Sequence, residues 1–529
     1  MGRSGGVLGV VVLAVAWASG LVSGRKFAYL DNLSPGFSDG VCERHGKGVF
    51  RGPYLQAGGH ERMVVRWSSE EEGLGVVCYG KSPGRMTAAA FDQEAFPRGS
   101  EHSVALEGLD PGTEYYYVPA VTSAEFLASS GSAEVYSSGS EGGDEAMRSF
   151  LFPDASSSSP GRSAAAGAMA AGTSQAGVAA AEEEDALSIV SPAEYYSFTT
   201  FPEPGAGVEE PVRVWAIGDS GMGDHKADSV RDAFVNFTGG DWDLTLGLGD
   251  LAYNSGKDWE YQKGFFEFLS EENARVPVFT TPGNHDRPTS DLWSQTGPYF
   301  DLFTNPGDGR SGGVPSNHKS YYSFDYGPIH FVSVDSDTLG LHDDPALYAW
   351  LEKDLAEARR ADYQWIVAYH HQPPYSKGSH DSDAQYECYK LRSNLVPMFE
   401  KYGVDLVLAG HSHSYERSHL LSGHFGPSGE VRSNPGVVKA RWSKGEDGVE
   451  TLVKTGEGEN SGTLYLVTGS GAKTSGGSLD HPAMASSQNF LGSVLLEFHP
   501  SGSRLDIHMV GSIPGQDALD HAVVLKTPK

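Results

Sequence analysis

Apolar positions along this chain follow two different rhythms. From Gly52 onward, short β-rich runs at Met63–Trp67, Gly75–Tyr79, His102–Leu106 and Glu114–Val118 alternate with turn signals such as Asp110-Pro111-Gly112. Short strands at this spacing predict a β-sandwich, with Tyr195–Thr200 as its last strand before the linker Phe201-Pro202-Glu203-Pro204-Gly205. After Val212 the runs become compact and almost wholly apolar: Val212–Ile217, Thr245–Leu248, Val276–Thr280, Ile329–Val334, Trp365–Tyr369 and Val404–Ala409. Such runs belong to strands buried on both faces. Helical patterns lie between them, at Asp258–Leu269, Pro345–Arg360 and Leu391–Tyr402. Strands alternating with helices predict an α/β layered sheet with ligands at the carboxyl ends of its strands. The later runs Thr463–Thr468, Val494–Phe498 and Leu505–Val510 return to that sheet.

Composition changes this picture in two places. Between about Thr122 and Ser191 the sandwich is interrupted by a segment rich in Ser, Ala and Gly, with Ser156–Ser159, Ala164–Ala166 and Glu182–Glu184. It has too little apolar surface to offset the entropy of ordering, and it reads as a disordered insertion in one loop. The first 24 residues combine Arg3, an apolar stretch from Val7 to Trp17 and the small residues Ser19, Gly20, Ser23 and Gly24. That is the pattern of a secretory signal peptide; its apolar part is short of the ~20 residues a membrane span needs. The expectation is a secreted protein, or one in a secretory-pathway or vacuolar compartment, without a membrane anchor. Asn32-Leu33-Ser34 and Asn236-Phe237-Thr238 fit the glycosylation pattern of that route. Three cysteines, Cys42, Cys78 and Cys388, are too few for a disulfide framework, and Cys42 with Cys78 is the first pair to test.

At 529 residues the chain has room for two or three domains. Its 39 Lys and Arg against 69 Asp and Glu leave a formal charge of -30, which argues against nucleic acid or an anionic membrane as a main partner.

The candidate chemistry sits just after the apolar runs. In order, the strand ends are Gly218-Asp219-Ser220-Gly221, Gly249-Asp250-Leu251-Ala252-Tyr253, Gly283-Asn284-His285-Asp286, His370-His371 and Gly410-His411-Ser412-His413. Taken singly, each has an ordinary reading as a turn, a cap or a surface histidine. Taken together, five strand ends deliver Asp, Asp with Tyr, Asn, His and His-x-His, beside glycines that let backbone approach a crowded centre. Asp and Tyr suit a trivalent ion, Asn and His suit a divalent one, and a shared carboxylate holds two ions close together. Asp335 and Asp337 also follow a strand but have no place in this series, and they read as structural.

This motif series resembles the calcineurin-like metallophosphoesterases and, more narrowly, the purple acid phosphatases. The wider superfamily begins with Asp-x-His, whereas this chain has Asp219-Ser220-Gly221; Tyr253, three residues after Asp250, stands where purple acid phosphatases place a tyrosinate. Tyr415-Glu416-Arg417 also matches. The resemblance covers Val212–Ser418, and the preceding sandwich is similar to the fibronectin-III-like domain of plant-type members. It implies an α/β (or α+β) fold: a two-sheet αββα sandwich over residues 211–529, preceded by an all-β domain over 48–203.

The resemblance further implies that Asp219, Tyr253 and His413 bind Fe(III). Asn284, His371 and His411 would bind a divalent ion (Zn, Fe or Mn), with Asp250 bridging. The family's Val-x-x-His also reads onto Val367–His370; the distances to Trp365 and Tyr375 favour His371 over His370, and the two point to opposite faces of a strand. His285 matches the histidine that contacts substrate phosphate. His380, in Ser379-His380-Asp381 rather than a His-His pair, corresponds to one of the later catalytic histidines. The implied function is a secreted acid phosphatase that hydrolyses small phosphomonoesters by attack of a metal-bound hydroxide. The alternatives are a phosphodiesterase or nucleotide pyrophosphatase at the same site, and a non-catalytic secreted binding protein.

Overall fold

The computed structural model describes residues 29–31, 49–83, 85–92, 99–122, 195–338, 344–446, 448–456 and 458–527. The expected signal peptide, Cys42, Asn32 and nearly all of the 122–191 insertion lie outside these residues. Cys78 is disulfide-bonded, and Cys388 is a buried free thiol. Asn236 is exposed on the last turn of a helix.

The described residues fall into two compact units. The smaller takes, of the described residues, 29–31, 69–83, 85–92, 99–104, 116–122 and 195; in it Leu74–Gly80 pairs antiparallel with Tyr116–Thr122, and Val76–Tyr79 pairs with Ala88–Phe91. One expectation changes here. Met63–Trp67 and Gly75–Tyr79 are parts of a single strand, Arg62–Gly80. The polar run between them contains no Pro or Asn-Gly pair to turn the backbone, so it stays extended.

The larger unit takes Val49–Ser68, Ala105–Tyr115 and everything from Tyr196. Two sheets face each other within it. The first runs Val278–Thr280, Leu244–Gly247, Val212–Ile217, Gly492–Phe498, Arg504–Gly511, Asp520–Lys526, Glu450–Lys454 and Ser443–Lys444 in spatial order. The second runs Tyr322–Tyr326, Ile329–Ser333, Trp365–His370, Leu406–Ala409, Leu464–Thr468, Tyr415–Ser418 and Met484–Gln488. Val214, Leu246 and Leu496 of the first sheet bury against Phe331, Val367 and Leu408 of the second, in one continuous core.

Helices cover the outer faces. His225–Thr238, unforeseen from the apolar pattern, starts where the Asp224 carboxylate accepts from the backbone N–H of Lys226 and Ala227. It stops at Gly239, in the left-handed conformation at φ 69°. Its buried residues include Ala227, Val230 and Phe234, and Phe234 stacks on Trp215 at 4.3 Å. Pro345–Ala361 buries Leu347, Leu351 and Leu355 against the second sheet. The expected helix Asp258–Leu269 is broken: a short α-turn at Asp258–Tyr261 passes into a π-helical turn at Gln262–Glu267. There Gly264 lies against the Gly221 backbone with no room for a side chain. The expected Leu391–Tyr402 helix is two helices, Tyr386–Asn394 and Val396–Tyr402, divided just before Pro397.

Val212–Ile217, Leu244–Gly247 and Val278–Thr280 are mutually parallel, as are Ile329–Ser333, Trp365–His370 and Leu406–Ala409. Their carboxyl ends carry the sequence motifs to one place.

Candidate metal centre

Each motif leaves its strand through a tight backbone. Asp219, Asp250 and His411 have left-handed φ values of 57°, 53° and 65°, a conformation side-chain-bearing residues adopt only when the surroundings demand it. The flanking glycines show why. A Cβ on Gly249 would stand 2.5 Å from His371 Nδ1, and one on Gly410 would stand 2.7 Å from Asp219 Oδ2. The loops are compressed so that seven donor side chains converge.

The donors form two groups that share Asp250. In the first, Tyr253 Oη lies 3.0 Å from Asp219 Oδ1 and 2.9 Å from Asp250 Oδ2, and His413 Nε2 lies 3.5 Å from Asp219 Oδ1. In the second, His371 Nε2 and His411 Nδ1 lie 3.1 and 2.9 Å from Asn284 Oδ1, and His371 Nε2 lies 3.4 Å from Asp250 Oδ1. One Asp250 oxygen faces each group. Asp219, Asp250 and His371 are fully buried and place their ligand atoms within 4.8 Å of one another, a spacing that can hold an ion.

Neighbouring groups orient these donors. His371 Nδ1 is 2.8 Å from the Leu248 carbonyl, which turns Nε2 inward. The His411 backbone N–H donates to Asp219 Oδ2 at 2.7 Å. His413 Nδ1 is 2.8 Å from Ser475 Oγ, leaving Nε2 for the first group.

The charges fit cations. Burial works against ionising Asp250, yet the adjacent His371 imidazolium holds its carboxyl well below the usual range. His371 in turn is pushed up to about 10, burial being outweighed by Asp250. A cation bound beside Asp250 would compete with a proton for that nitrogen. His411 is held far below the ordinary imidazole value by burial and by the imidazoles around it, so it stays in the neutral form a metal takes. The Tyr253 phenol is pushed well up by burial and by Asp219 and Asp250; among carboxylates it remains a hydrogen-bond donor unless a strongly charged ion takes its oxygen.

All nine sequence-derived site residues gather here. His285 donates its backbone N–H to Asp250 Oδ1 at 2.8 Å, and its ring lies 4.6 Å from that of Tyr253. His380 stacks on His411 at 3.9 Å. His370 points the other way, into the core, where it lies parallel to Phe399 and burial lowers its pKa to about 3. Asp335 accepts from Ser320 and Thr338, and Asp337 pairs with Arg287 at 2.7 Å; neither belongs to the donor groups.

Two participants carried no assigned role in the sequence. Gln385 joins His411 to His380, its Oε1 3.0 Å from His411 Nε2 and its Nε2 2.6 Å from His380 Nδ1. No motif surrounds it, so only the structure finds it. Asp286 accepts from the backbone N–H of Gly283 and Leu251 and from Tyr261 Oη, tying two ligand loops together. Its signal was present in Asn284-His285-Asp286.

Known proteins are similar to this chain in sequence and in fold. Residues 212–415 match the sequence model of the calcineurin-like phosphoesterase family. Purple acid phosphatase 23 of Arabidopsis thaliana is 31% identical over 265 residues, covering 44% of this chain and 53% of the relative. Acid phosphatase type 7 of Homo sapiens is 32% identical over 220 residues, covering 39% and 47%. The chain thus spans about half the length of the curated relatives it matches. In fold it is similar to a purple acid phosphatase isolated from yellow lupin (Lupinus luteus) seeds, with a TM-score of 0.56 at 18% identity, covering 90% of this chain and 74% of that one. Residues 212–415 are a calcineurin-like phosphoesterase domain whose curated relatives include purple acid phosphatases.

Proposed function

We propose that the chain is a secreted acid phosphatase that hydrolyses small phosphomonoesters at a two-metal centre. Asp219, Tyr253 and His413 hold Fe(III), Asn284, His371 and His411 hold a divalent ion, and Asp250 is shared. The observation that carries this reading is the division of Asp250, whose Oδ2 and Oδ1 face two separate donor groups. When bound, the two ions supply charge for the phosphoryl oxygens and lower the pKa of water.

The protein's own groups then manage substrate and protons. His285 Nδ1 lies 2.7 Å from the Asn254 carbonyl, which fixes the proton on Nδ1 and leaves Nε2 to receive one. His380 is set the opposite way. Gln385 Oε1 can only accept, so His411 carries its proton on Nε2 and donates a hydrogen bond to that oxygen, which would leave Nδ1 for the divalent ion. The Gln385 amide then donates to His380 Nδ1, so the His380 proton resides on Nε2. One histidine thus accepts where the other donates, a pair suited to orienting a phosphoryl group and protonating a leaving alkoxide.

The fibronectin-III-like reading of residues 48–203 and the secretory route accompany this proposal; the first rests on the family resemblance and the second on the sequence pattern. The test is hydrolysis of p-nitrophenyl phosphate against bis(p-nitrophenyl) phosphate by the metal-loaded chain, with the monoester expected to be preferred. His411→Ala should lower turnover at least about 100-fold and reduce bound divalent metal, because it opens one donor group. A folded His411→Ala protein with undiminished turnover would sink the assignment.

A further inference from the structure

A second gathering of metal-type donors lies on the outward face of the first sheet, built by strand alternation. Along Gly492–Phe498, Arg504–Gly511 and Asp520–Lys526, Leu496, Ile507 and Ala522 turn into the core. Side chains of opposite parity turn outward. The register sets His508 opposite His521 and Glu497 opposite Asp506. Asp506 and His508, two residues apart on the middle strand, share that face. His499, just past the end of Gly492–Phe498, reaches the same carboxylate.

All three imidazoles turn Nε2 toward a carboxylate. His508 Nε2 lies 3.0 Å from Glu497 Oε2, His521 Nε2 lies 3.1 Å from Asp506 Oδ1, and His499 Nε2 lies 2.8 Å from Asp506 Oδ2. The His508 and His521 rings stack at 4.2 Å. Ligand atoms of Asp506, His508 and His521 all fall within 4.8 Å of one another. Two donors sharing a tetrahedral ion at about 2.0–2.1 Å stand about 3.3 Å apart, close to the 3.1 Å between His521 Nε2 and Asp506 Oδ1.

We infer that His508, His521 and Asp506, with His499 and Glu497 alongside, form a second metal site for a divalent transition ion of the zinc type. Imidazole nitrogen with carboxylate oxygen is a donor set for such an ion. Its role would be structural, because it clamps three consecutive strands near the end of the chain. Arg504 and Arg213 border the site: Arg504 pairs with Asp506 at 2.6 Å and Arg213 with Glu497 at 3.1 Å. The Arg504 side chain is 45% exposed, free to swing into water when an ion takes the carboxylate. The competing arrangement keeps the same residues as hydrogen-bonded histidine–carboxylate pairs without metal. This site does not depend on the phosphatase reading.

The experiment is zinc stoichiometry on the chelator-stripped full chain, by calorimetric titration at pH 7.5 and elemental analysis. It compares the parent with His521→Gln and with Asp506→Asn, each checked for folding by circular dichroism. The expected result is one zinc equivalent present in the parent and missing from both variants, with p-nitrophenyl phosphate turnover unchanged. Anomalous diffraction at the zinc edge should place that ion between His508 and His521. If one variant fails to fold, the other and the anomalous map still decide. Equal stoichiometry in parent and folded variants, or no anomalous peak at these residues, would overturn the inference in favour of metal-free hydrogen-bonded pairs.

Discussion

At the scale of single residues, one atom or one step along a strand separates chemistry from packing. His370 and His371 are adjacent, yet one lies against Phe399 in the core and the other faces Asn284 and Asp250. His370 ends the strand facing the core, and His371, in the bend that follows, is turned the other way and held by the Leu248 carbonyl. Tyr253 poses a similar question, because its hydroxyl lies between two carboxylates that serve equally as hydrogen-bond acceptors or as fellow ligands. Tyr253→Phe keeps the ring and removes that oxygen. A tyrosinate bound to Fe(III), as the family resemblance implies, would give a visible charge-transfer band; in iron-loaded protein the substitution should abolish that band while lowering turnover less than His411→Ala does, since the divalent donor group is intact. Absorption spectra and turnover of the two variants decide; a Phe variant that retains the band would return Tyr253 to a packing role.

Secondary-structure elements are joined by their own polar clamps. His330, on Ile329–Ser333, lies between Asp325 of the neighbouring strand at 2.7 Å and Asp354 of the helix Pro345–Ala361 at 2.9 Å. Burial would lower its pKa, but Asp354 and Asp325 raise it to about 10. The sign follows from linkage. The folded pKa lies above the unfolded value of about 6.5, so the stabilisation is complete below that pH and is lost as pH rises toward 10. His330→Gln should therefore cost about 3–5 kcal/mol in mildly acid solution, where it leaves two buried carboxylates without their cation. The gap from the parent should narrow toward pH 10. Denaturant unfolding across that range checks this, and a gap independent of pH would contradict it.

The candidate metal centre in the larger unit depends on holding the two sheets in register, because each contributes donor side chains to it. Asp405 precedes Leu406–Ala409 of the second sheet; Lys454 and Lys526 end strands of the first, and both ammonium groups reach the Asp405 carboxylate, at 2.7 and 2.8 Å. Burial disfavours the charge on Asp405, but the two lysines hold its pKa down. This cluster lies at the end of the Leu406 strand away from His411. Asp405→Asn should destabilise the protein by about 3–5 kcal/mol by removing the carboxylate charge that two buried cations share. Turnover well below the unfolding temperature should be unaffected. Thermal unfolding beside steady-state kinetics tests both halves, and a stability unchanged from the parent would show that the cluster is not a clasp.

What the sequence determined by itself was the local chemistry: apolar runs that must be buried strands, and after them glycine-flanked Asp, Asn, Tyr and His. Those features are written in consecutive residues, so they were legible without coordinates. The strands near the end of the chain were only partly legible. Gly492–Phe498 showed as an apolar run, but its antiparallel docking on Val212–Ile217 depends on contacts almost 300 residues apart. The tertiary structure alone decided which Asp250 oxygen faces which donor group, and that Gln385 links His411 to His380. It also decided that His499, His508 and His521 share one face with Asp506. Side-chain direction and distance across strands arise from register and sheet packing, which no local pattern encodes.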